Sequence, residues 1–578
     1  MLFFQNETNQ GGFLMFDCKK IISKLLINEI DELDFKQLYD LIEVPPRAEM
    51  GDFALPCFKL AKIMHKSPVQ IANDLSEEDF SHSLFYKITS VGPYLNFFLD
   101  YKEFAKLLLS HIYKSNKKYG SQKEKNENIV IDYSSPNIAK PFHIGHLRST
   151  VIGQSLYNIY NHLGYTSIGV NHLGDWGTQF GKQILAYKKW GDKEVVRKDP
   201  INELVKLYVK FHEEAEEHPE LEDQAREWFK KLENGNQEAL KIWKSISKAS
   251  MKEFNKLYSI LGIDFDFNTG ESFYRDKVDP VIKELKEKNL IKESQGALIV
   301  DLGEDMPPCL IKKADGTTIY TSRDIAAAFY RKSTFNFKKA LYVTDYSQTL
   351  HFKQWMKVIE LMGYDWASNI YHVPFGRVRL SEGRMQTRKG NVILLKEVLS
   401  EAIDKTKNII KERNPDLDDK EKVAKEVAVG ALIFNDLYNN RINDIVFDWD
   451  ELLNFEGETG PYVQYTYARS CRVLEKATDD IIVNVDYSLL EDNESIELMK
   501  ALYEFPQVIV DASDQLEPSL VSRQVMKIAR AFNRFYHNNQ IITDKDAVRN
   551  SRLLLCYCAN ITLEIGLKLL NMPTPTRM

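Results

Sequence analysis

Two histidines flank a glycine in His143-Ile144-Gly145-His146, a segment between a predicted strand and a predicted helix. A helix N-terminus offers free backbone N–H groups and the positive end of the helix dipole, so it attracts phosphate. Gly145 lets a ligand approach the backbone, the two histidines can donate to phosphate oxygens, and Lys140 adds a charge. The alternative is a loop with chance histidines, with odds on the order of 1 in 100. The loop therefore predicts a phosphate site, although the chain has no Walker A or GxGxxG motif.

A second basic segment, residues 384–390 (RMQTRKG), follows a strand-like stretch at Arg377–Leu380. Three cations and a glycine suit a flexible loop that grips phosphate. An ordinary basic surface turn explains the same residues, so this segment alone does not indicate function.

Two further basic stripes have helical spacing near the C-terminus. One consists of Arg523, Lys527, Arg530 and Arg534, with Val525, Ile528, Phe532 and Phe535 pointing toward a core; the other consists of Tyr465, Arg469, Arg472 and Lys476. Basic stripes with nearby tyrosines suit single-stranded RNA, through phosphate contact and base stacking. Two amphipathic helices with solvated outer faces are the alternative, and residue patterns alone favour it.

The elements that must position the histidine loop follow a βαβ pattern. A β-branched run at 129–133 is followed by the loop, a helix with apolar residues every 3–4 positions, Gly164 as a C-cap, and a strand at 166–174. We expect a parallel α/β sheet with its ligand at the carboxyl ends of the strands. The segment 91–99 predicts a strand after a turn, 114–128 a linker, 190–295 a helical insertion, and the chain from about 420 only helix.

Composition is that of an ordinary globular chain. The 578 residues suggest about three to five domains. A net charge of −7 argues against indiscriminate nucleic-acid binding. No apolar run approaches the ~20 residues of a membrane helix, and no secretory signal is predicted. The six scattered cysteines indicate reduced, mostly buried thiols rather than a zinc site. The codons of Gly11 and Gly12 can spell a purine-rich ribosome-binding sequence at the right distance before Met15. This suggests that translation starts at Met15, in a bacterium, which mass spectrometry of the native protein would test.

The segment 134–153 (SSPNIAKPFHIGHLRSTVIG) resembles the HIGH region of class I aminoacyl-tRNA synthetases, in the form typical of arginyl-tRNA synthetases. Residues 172–181 (HLGDWGTQFG) are similar to the same family, and the resemblance extends from about Met15 to Met578. It implies a multidomain α/β fold: a Rossmann-like parallel-sheet catalytic domain with a helical insertion, an α+β N-terminal domain and an all-α anticodon-binding domain. The expected boundaries are 1–115 (tRNA-contacting), 116–420 (catalytic, insertion about 190–295) and 421–578 (anticodon-binding).

The activity that this resemblance implies is that of an arginine–tRNA ligase. Arginine is activated with ATP to arginyl-adenylate and transferred to the 3′-terminal ribose of tRNA(Arg), releasing pyrophosphate and AMP. Mg²⁺ accompanies ATP and no zinc is expected. We expect a cytoplasmic monomer that makes no membrane contact.

Specific residues can be carried over from the family. Catalysis and ATP binding fall to His143, Gly145 and His146, and to Arg384, Met385, Arg388 and Lys389 in the second loop. This loop departs from the KMSKS motif in its second lysine, whose charge Lys140 is expected to supply. For tRNA, the matching residues are Tyr465, Arg469, Arg530, Arg534 and Tyr536.

A guanidinium substrate requires a carboxylate acceptor. Tyr320 and Asp324 are four residues apart and so share one helix face. Thr321 to Asp324 also resembles a capping box, in which Asp324 would only cap a helix. The family favours the binding role. Its full arginine-binding set corresponds to Ser135, Pro136, Asn137, His146, Tyr320, Asp324 and Gln348.

Two other functions are open. A synthetase for another amino acid, or a small nucleotidyl transferase, could share the HIGH loop, but the transferases lack such helical tails. A non-catalytic tRNA-binding relative would be expected to have lost a HIGH histidine or Asp324. Exchange of pyrophosphate into ATP, tested with each amino acid, with and without tRNA, separates these alternatives.

Overall fold

The computed structural model describes residues 16–30, 32–138, 140–198, 200–380, 394–477 and 480–578. They divide into two compact units. The first unit takes the described residues up to Ser121, Arg469–Pro506 and Lys527–Ile565. The second takes Gln122–Ala468, Gln507–Met526 and Gly566–Met578.

The N-terminal part of the first unit is an α+β arrangement. Its elements are α1 (Cys18–Leu26), α2 (Phe35–Leu41), β1 (Phe53–Pro56), α3 (Ala61–Met64), α4 (Pro68–Glu77), β2 (Phe85–Val91), β3 (Tyr94–Leu99) and α5 (Tyr101–Ser115). The strands form an antiparallel sheet in the order β1-β3-β2. The run predicted as one strand after a turn is confirmed from Tyr94. Val91 instead ends β2, and Gly92 turns the chain with a φ of +57°.

The second unit is built on a parallel sheet. Its first elements are β4 (Asn128–Asp132), α6 (Ile144–His162), β5 (Thr166–Asn171), α7 (Thr178–Trp190), α8 (Lys193–Lys198), α9 (Pro200–Glu217), α10 (Glu220–Glu233), α11 (Gln237–Leu261), β6 (Phe267–Asn268), α12 (Glu271–Tyr274) and α13 (Val278–Glu287). There follow β7 (Ile291–Ser294), β8 (Ala297–Val300), β9 (Cys309–Lys312), α14 (Tyr320–Phe335), β10 (Lys339–Asp345), α15 (Thr349–Leu361), β11 (Ile370–Phe375) and β12 (Val378–Leu380).

The predicted βαβ unit is confirmed, because β4 and β5 are parallel neighbours joined by α6. The five-stranded sheet has the order β11-β10-β4-β5-β6, and all its pairs are parallel. The strand order therefore reverses between β4 and β10. In open α/β sheets a ligand binds in the crevice at this switch point, beyond the carboxyl ends of the strands.

The expected helical insertion at 190–295 is right only in its first part. Helices α8 to α11 end at Leu261, where Gly262 stops α11 in the left-handed conformation. The chain then adds β6 to the parallel sheet and, after α13, begins the antiparallel sheet β7-β8-β9. The charged pattern continues through this region, so charge alone did not distinguish strand from helix.

The remaining elements are α16 (Leu395–Arg413), α17 (Lys420–Tyr438), β13 (Ile445–Phe447), α18 (Trp449–Leu452), α19 (Gly460–Lys476), α20 (Asn493–Asp514), α21 (Ser519–Asn538) and α22 (Asp546–Leu569). The expectation of helix alone from about 420 is wrong at β13, which pairs with β12 in parallel. The predicted apolar side of α21 is confirmed: Val525, Ile528, Phe532 and Phe535 are completely buried.

All six cysteines are free, and five of them are buried, as expected. Burial raises the pKa of the Cys57 thiol to about 11, so it stays protonated at neutral pH. In the part of the chain that the structure describes, no helix is long and apolar enough to cross a membrane.

Candidate functional site

The histidine loop caps helix α6 with its own side chains. His143 is the N-cap residue, and its Nδ1 accepts a hydrogen bond from the Gly145 N–H at 3.1 Å. In return, His146 Nδ1 accepts from the His143 N–H at 3.2 Å. Because each Nδ1 is an acceptor, the proton of each neutral ring lies on Nε2. Both rings therefore keep a donor for a ligand.

Both histidines are held in the neutral form. Burial, together with a smaller contribution from the charge of Lys140, lowers the pKa of His143 to about 4. Burial lowers the pKa of His146 as well, and the neighbouring His143 and Lys140 add to the effect. The two rings stack with centroids 3.8 Å apart, a contact that two imidazolium ions would resist. The loop can thus donate hydrogen bonds to phosphate without a positive charge on its histidines.

Gly145 has a steric role in this loop. A Cβ at position 145 would lie 2.9 Å from His143 Cε1 and Nδ1, closer than a Cβ normally approaches another atom. A side chain there would push the His143 ring out of its capping position. The glycine was predicted to let a ligand come close. In the structure its first effect is to make room for the His143 ring.

The loop after β4 is bent sharply by two serines. Ser134 and Ser135 have left-handed φ values of 67° and 46°, which non-glycine residues rarely adopt. Hydrogen bonds fix this conformation: the Ser135 N–H donates to Asn171 Oδ1 at 3.1 Å and its hydroxyl donates to Asp132 Oδ1 at 2.7 Å. The His172 N–H donates to Ser135 Oγ at 3.1 Å. Strain that is compensated in this way is common at functional sites.

A buried ion pair connects this loop to helix α14. Arg331, only 1% exposed, places its Nη2 2.8 Å from Asp132 Oδ2 and 3.3 Å from His172 Nδ1. Asp132 thus bonds both Ser135 and Arg331. The pair fixes α14 against the carboxyl end of β4, so the side chains at the start of α14 have a defined place relative to the loop.

Asn137 pairs with the segment 172–181 that was singled out in the sequence. The Gly174 N–H donates to the Pro136 carbonyl, and the Ile138 N–H donates to the Gly174 carbonyl, both at 3.1 Å. A Cβ at Gly174 would lie 2.2 Å from Asn137 Oδ1, so only glycine fits. The two similar segments therefore form one surface beside the crevice.

Helix α14 begins at Tyr320, with Ile319 at the N-cap and no side-chain cap. The capping-box interpretation of Asp324 is therefore wrong. Instead, Asp324 Oδ2 accepts a hydrogen bond from His351 Nε2 at 2.6 Å, and the Tyr320 ring packs edge-on against His351 with centroids 4.8 Å apart. The carboxylate is thus held by His351 and does not cap its own helix.

Glu271 is a second carboxylate here, and sequence reasoning missed it. It forms an ion pair with Arg323 Nη2 at 3.2 Å. Burial raises the pKa of Glu271 to about 7; Arg323 lowers it, whereas Asp324 and Asp175 raise it. The effect of Asp324 on the pKa of Glu271 places the two carboxyl groups in one acidic neighbourhood. A Gly-Glu-Ser at the start of a four-residue helix gave no recognisable signal in the sequence.

A cavity of about 380 Å³ opens at the switch point between β4 and β10. Among the expected site residues, it is lined by Ser135, Asn137, His143, Gly145, His146 and Gln348. Lys140, Pro136, Tyr320 and Asp324 are not part of its lining. Asp324 bonds His351, which follows Gln348 of the lining by three residues, about one turn of α15.

The cavity thus presents neutral hydrogen-bond donors at a helix N-terminus, and one of its lining residues, Gln348, lies about one helical turn from the His351 that bonds Asp324. Comparison with known proteins agrees with this arrangement. Residues 108–449 match the family described as tRNA synthetases class I (R), catalytic domain. Residues 19–99 match the Arginyl tRNA synthetase N terminal domain, and 463–578 match the DALR anticodon binding domain.

Relatives of high identity span the chain. An arginine–tRNA ligase of Alkaliphilus metalliredigens is 53% identical over 566 residues, which is 98% of this chain and 100% of that protein. One of Halothermothrix orenii is 52% identical over the same shares. This chain belongs to the arginyl-tRNA synthetase family.

Solved structures of the family have the same fold. The arginyl-tRNA synthetase of Thermus thermophilus aligns with a TM-score of 0.83 at 24% identity, covering 97% of this chain and 99% of that one. The enzyme of Plasmodium falciparum aligns with a TM-score of 0.79 at 25% identity, covering 97% and 98%. The expected fold class is confirmed: a Rossmann-like catalytic domain, an α+β N-terminal domain and a helical C-terminal domain.

Arg148, two residues after His146 in the first turns of α6, stabilises the catalytic domain. Arg148 is completely buried, and its Nε lies 3.3 Å from Asp436 Oδ1. Its Nη1 donates to the carbonyls of Gly376 and Asn443, and its Nη2 to that of Arg441. Arg148 thereby ties α6 to both turns that lead into the β12–β13 pair. Removing one partner of such a buried pair typically costs about 3–5 kcal/mol.

The second basic loop, residues 384–390, lies entirely outside the described residues. The expected ATP-binding residues Arg384, Met385, Arg388 and Lys389 lie outside the described residues, so their placement stays a prediction. Two cations missed in the sequence, Arg377 and Arg379, line the cavity just before them. Arg377 pairs with Asp345 at 2.9 Å, and Arg379 pairs with Asp444.

The residues expected to contact tRNA lie on helices α19 and α21. In the first unit, the Arg469 guanidinium lies 5.0 Å from the centre of the Tyr536 ring and bonds Asn533. Arg534 pairs with Glu497 at 2.7 Å, so part of the predicted stripe is neutralised by a neighbouring helix. Tyr465 and Tyr536 are each 41% exposed, which leaves both rings accessible for base stacking.

Proposed function

We propose that this synthetase activates L-arginine with ATP and transfers it to the terminal ribose of tRNA(Arg). The observation that carries the proposal is the cavity itself. One end offers the Nε2–H donors of His143 and His146 at the start of α6. We assign the other end to the carboxylates of Asp324 and Glu271, because Gln348 in the lining lies about one helical turn from the His351 that bonds Asp324. An α-amino acid with a cationic side chain and a nucleotide phosphate match these two ends.

The nucleotide end acts by positioning and electrostatics. The two neutral histidines and the helix dipole stabilise the charge that develops as the α-phosphate is attacked. Lys140 contributes a positive charge, which is supported by its effect on the pKa of His143. We assign the grip on the pyrophosphate to Arg384, Met385, Arg388 and Lys389. Mg²⁺ enters with ATP and is held by phosphate and water.

The amino-acid end selects its substrate by the charge and the length of the amino-acid side chain. Asp324 and Glu271 bind the guanidinium, with Tyr320 against its plane. Asn137, Gln348, Ser135 and the Pro136 backbone hold the α-amino and carboxylate groups. A buried carboxylate left without its cation is costly, so a neutral analogue of arginine is rejected.

The reaction then proceeds in two displacements. A carboxylate oxygen of arginine attacks the α-phosphorus, and the bond to pyrophosphate breaks to give arginyl-adenylate. A ribose hydroxyl of the tRNA 3′ end attacks the arginyl carbonyl, and AMP leaves. No protein nucleophile is required, because the substrates supply both.

The wider proposal rests on the family. Residues 1–115 contact tRNA, 116–420 catalyse, and 421–578 bind the anticodon, where Tyr465, Arg469, Arg530, Arg534 and Tyr536 contact RNA. The enzyme acts as a monomer in the cytoplasm.

Exchange of labelled pyrophosphate into ATP tests the function. We expect exchange with arginine plus tRNA(Arg), and none with lysine, citrulline or glutamine under the same conditions. Charging of tRNA(Arg) with labelled arginine is the second readout. Exchange with another amino acid, or none with arginine and tRNA together, would refute the proposal.

A further inference from the structure

Helix α11 exposes a continuous row of lysines. Lys241, Lys244, Lys248, Lys252 and Lys256 are all exposed and recur every three or four residues. At about 100° and 1.5 Å per residue, they occupy one face roughly 120° wide and ~22 Å long. The positions between them on this face are Ser245, Asn255 and Ser259. We call this surface the lysine face.

The opposite side of α11 packs on the catalytic loops. Phe254 meets the ring of Phe142, directly before His143, with centroids 5.5 Å apart. The Tyr258 hydroxyl lies 2.8 Å from Ser134 Oγ in the strained loop. A helix with its side chains is about 10–12 Å across. The lysine face therefore lies one helix diameter from the loops that bind the reacting groups.

The helices of the insertion differ in the sign of their charge. Helices α9 and α10 carry five acidic residues each, whereas α11 carries five lysines and only Glu238 and Glu253. Both of those acids are already paired, Glu238 with Lys188 and Glu253 with Lys256. Among the described residues, Lys241, Lys244, Lys248 and Lys252 form no ion pair. Like charges at this spacing repel each other and destabilise a helix.

We propose that the lysine face binds the phosphate backbone of the tRNA arm that delivers its 3′ end to the catalytic loops. The inference rests on the proposed function, since it needs an RNA end at the cavity. The face carries only lysine, serine and asparagine, which are the groups that contact phosphates without reading sequence. A protein partner fits less well, because lysine is depleted from protein interfaces and this face offers no apolar anchor. Because the chain as a whole has a net charge of −7, the positive lysine face also directs RNA to the side of the enzyme on which α11 lies.

The test is a variant with Lys241, Lys244, Lys248 and Lys252 changed to Gln. The dissociation constant for fluorescently labelled tRNA(Arg) is measured by anisotropy over a series of KCl concentrations. We expect binding to weaken by about 10- to 100-fold at low salt. Each lost phosphate contact removes roughly 0.7–0.9 from the slope of log K against log salt, so the slope falls by about 3.

A matched control carries the same change of charge elsewhere in the same unit. Its four substitutions replace lysines that are likewise exposed but lie outside α11: Lys283→Gln, Lys286→Gln, Lys313→Gln and Lys353→Gln. We expect the control to bind tRNA(Arg) with nearly the wild-type salt slope. Thermal melting of both variants checks that they are folded.

Kinetics separate this inference from the proposed function. In the α11 variant the KM for tRNA(Arg) should rise, while kcat and the KM for arginine at saturating tRNA stay at wild-type values. A hairpin carrying only the acceptor arm should show the same loss of salt dependence. If the two variants bound tRNA alike, with equal slopes, the lysine face would be overturned even in an enzyme that charges arginine. A wild-type chain that charges no tRNA would instead refute the proposed function.

Discussion

The two ends of the cavity are prepared for their ligands in opposite ways. At the HIGH loop, burial and the Lys140 charge keep His143 and His146 neutral, and each ring is fixed by a backbone hydrogen bond. At the arginine end the two carboxyl groups are held by protein partners: Asp324 by His351 and Glu271 by Arg323. The first end is complete before the ligand arrives, whereas the second must exchange or share its partners.

This difference indicates which end of the site selects the amino acid. Neutral donors at a helix N-terminus bind any nucleotide phosphate, so they cannot choose the amino acid. Half-buried carboxylates discriminate by charge, because an arriving guanidinium can replace or join their protein partners, whereas a neutral side chain cannot. We therefore expect changes at the arginine end to alter the substrate, and changes at the HIGH loop to alter the rate.

The largest effect is expected for Asp324→Ala. Loss of this carboxylate should lower kcat/KM for arginine by roughly 10⁴-fold, as for a site that loses an obligatory polar partner. ATP binding, measured by equilibrium dialysis, should stay within about twofold, since the HIGH loop is untouched. Asp301→Ala, which removes a carboxylate that is paired with Lys292 and is not part of the cavity lining, is the matched control. Near-normal charging by Asp324→Ala would mean that this carboxylate does not bind the guanidinium.

His143→Ala should act on rate. It removes an Nε2–H donor and one half of the cap of α6, and loss of one such donor typically lowers kcat by about 10²–10³-fold. The KM for arginine should change little. In the wild type, kcat should be flat through the usual histidine range, because a pKa of about 4 leaves the ring neutral above that pH and charges it only below. A kcat that fell near pH 6.5 and lost this fall in His143→Ala would contradict the neutral loop.

How far the sequence could predict this site depends on how local the chemistry is. The HIGH loop was predictable because His143, Gly145 and His146 are adjacent and lie between a strand and a helix. The neutral state of the histidines was not, since it depends on burial. Glu271 was missed because it matters only beside Arg323, some fifty residues later. The fold followed from the βαβ pattern, but β13 escaped detection because three residues show no periodicity.

Gly145→Ala sharpens the comparison at the HIGH loop without removing any polar group. The added Cβ would meet the His143 ring at 2.9 Å and displace it. A misplacement of this size can lower the rate by about 10²-fold. Gly153→Ala is a poor control because its Cβ would strike Tyr133 at 2.2 Å, whereas Gly457→Ala, whose Cβ would make only contacts of 3.5 Å or more, tests the general effect of a replaced glycine. Equal activity of Gly145→Ala and Gly457→Ala would show that the ring position does not matter.

The smallest effect is expected from Glu271, and it should appear as a pH dependence. Burial raises the pKa of Glu271 to about 7 in the free enzyme, so the carboxyl is neutral below that pH and negative above it. The arriving guanidinium favours the ionised form. The KM for arginine should therefore fall as pH rises through about 7. Glu271→Gln should have a KM roughly tenfold higher at alkaline pH and no such fall, because one charge pair is worth about 1–2 kcal/mol here. An unchanged pH profile in Glu271→Gln would show that the ionisation of Glu271 does not contribute to arginine binding.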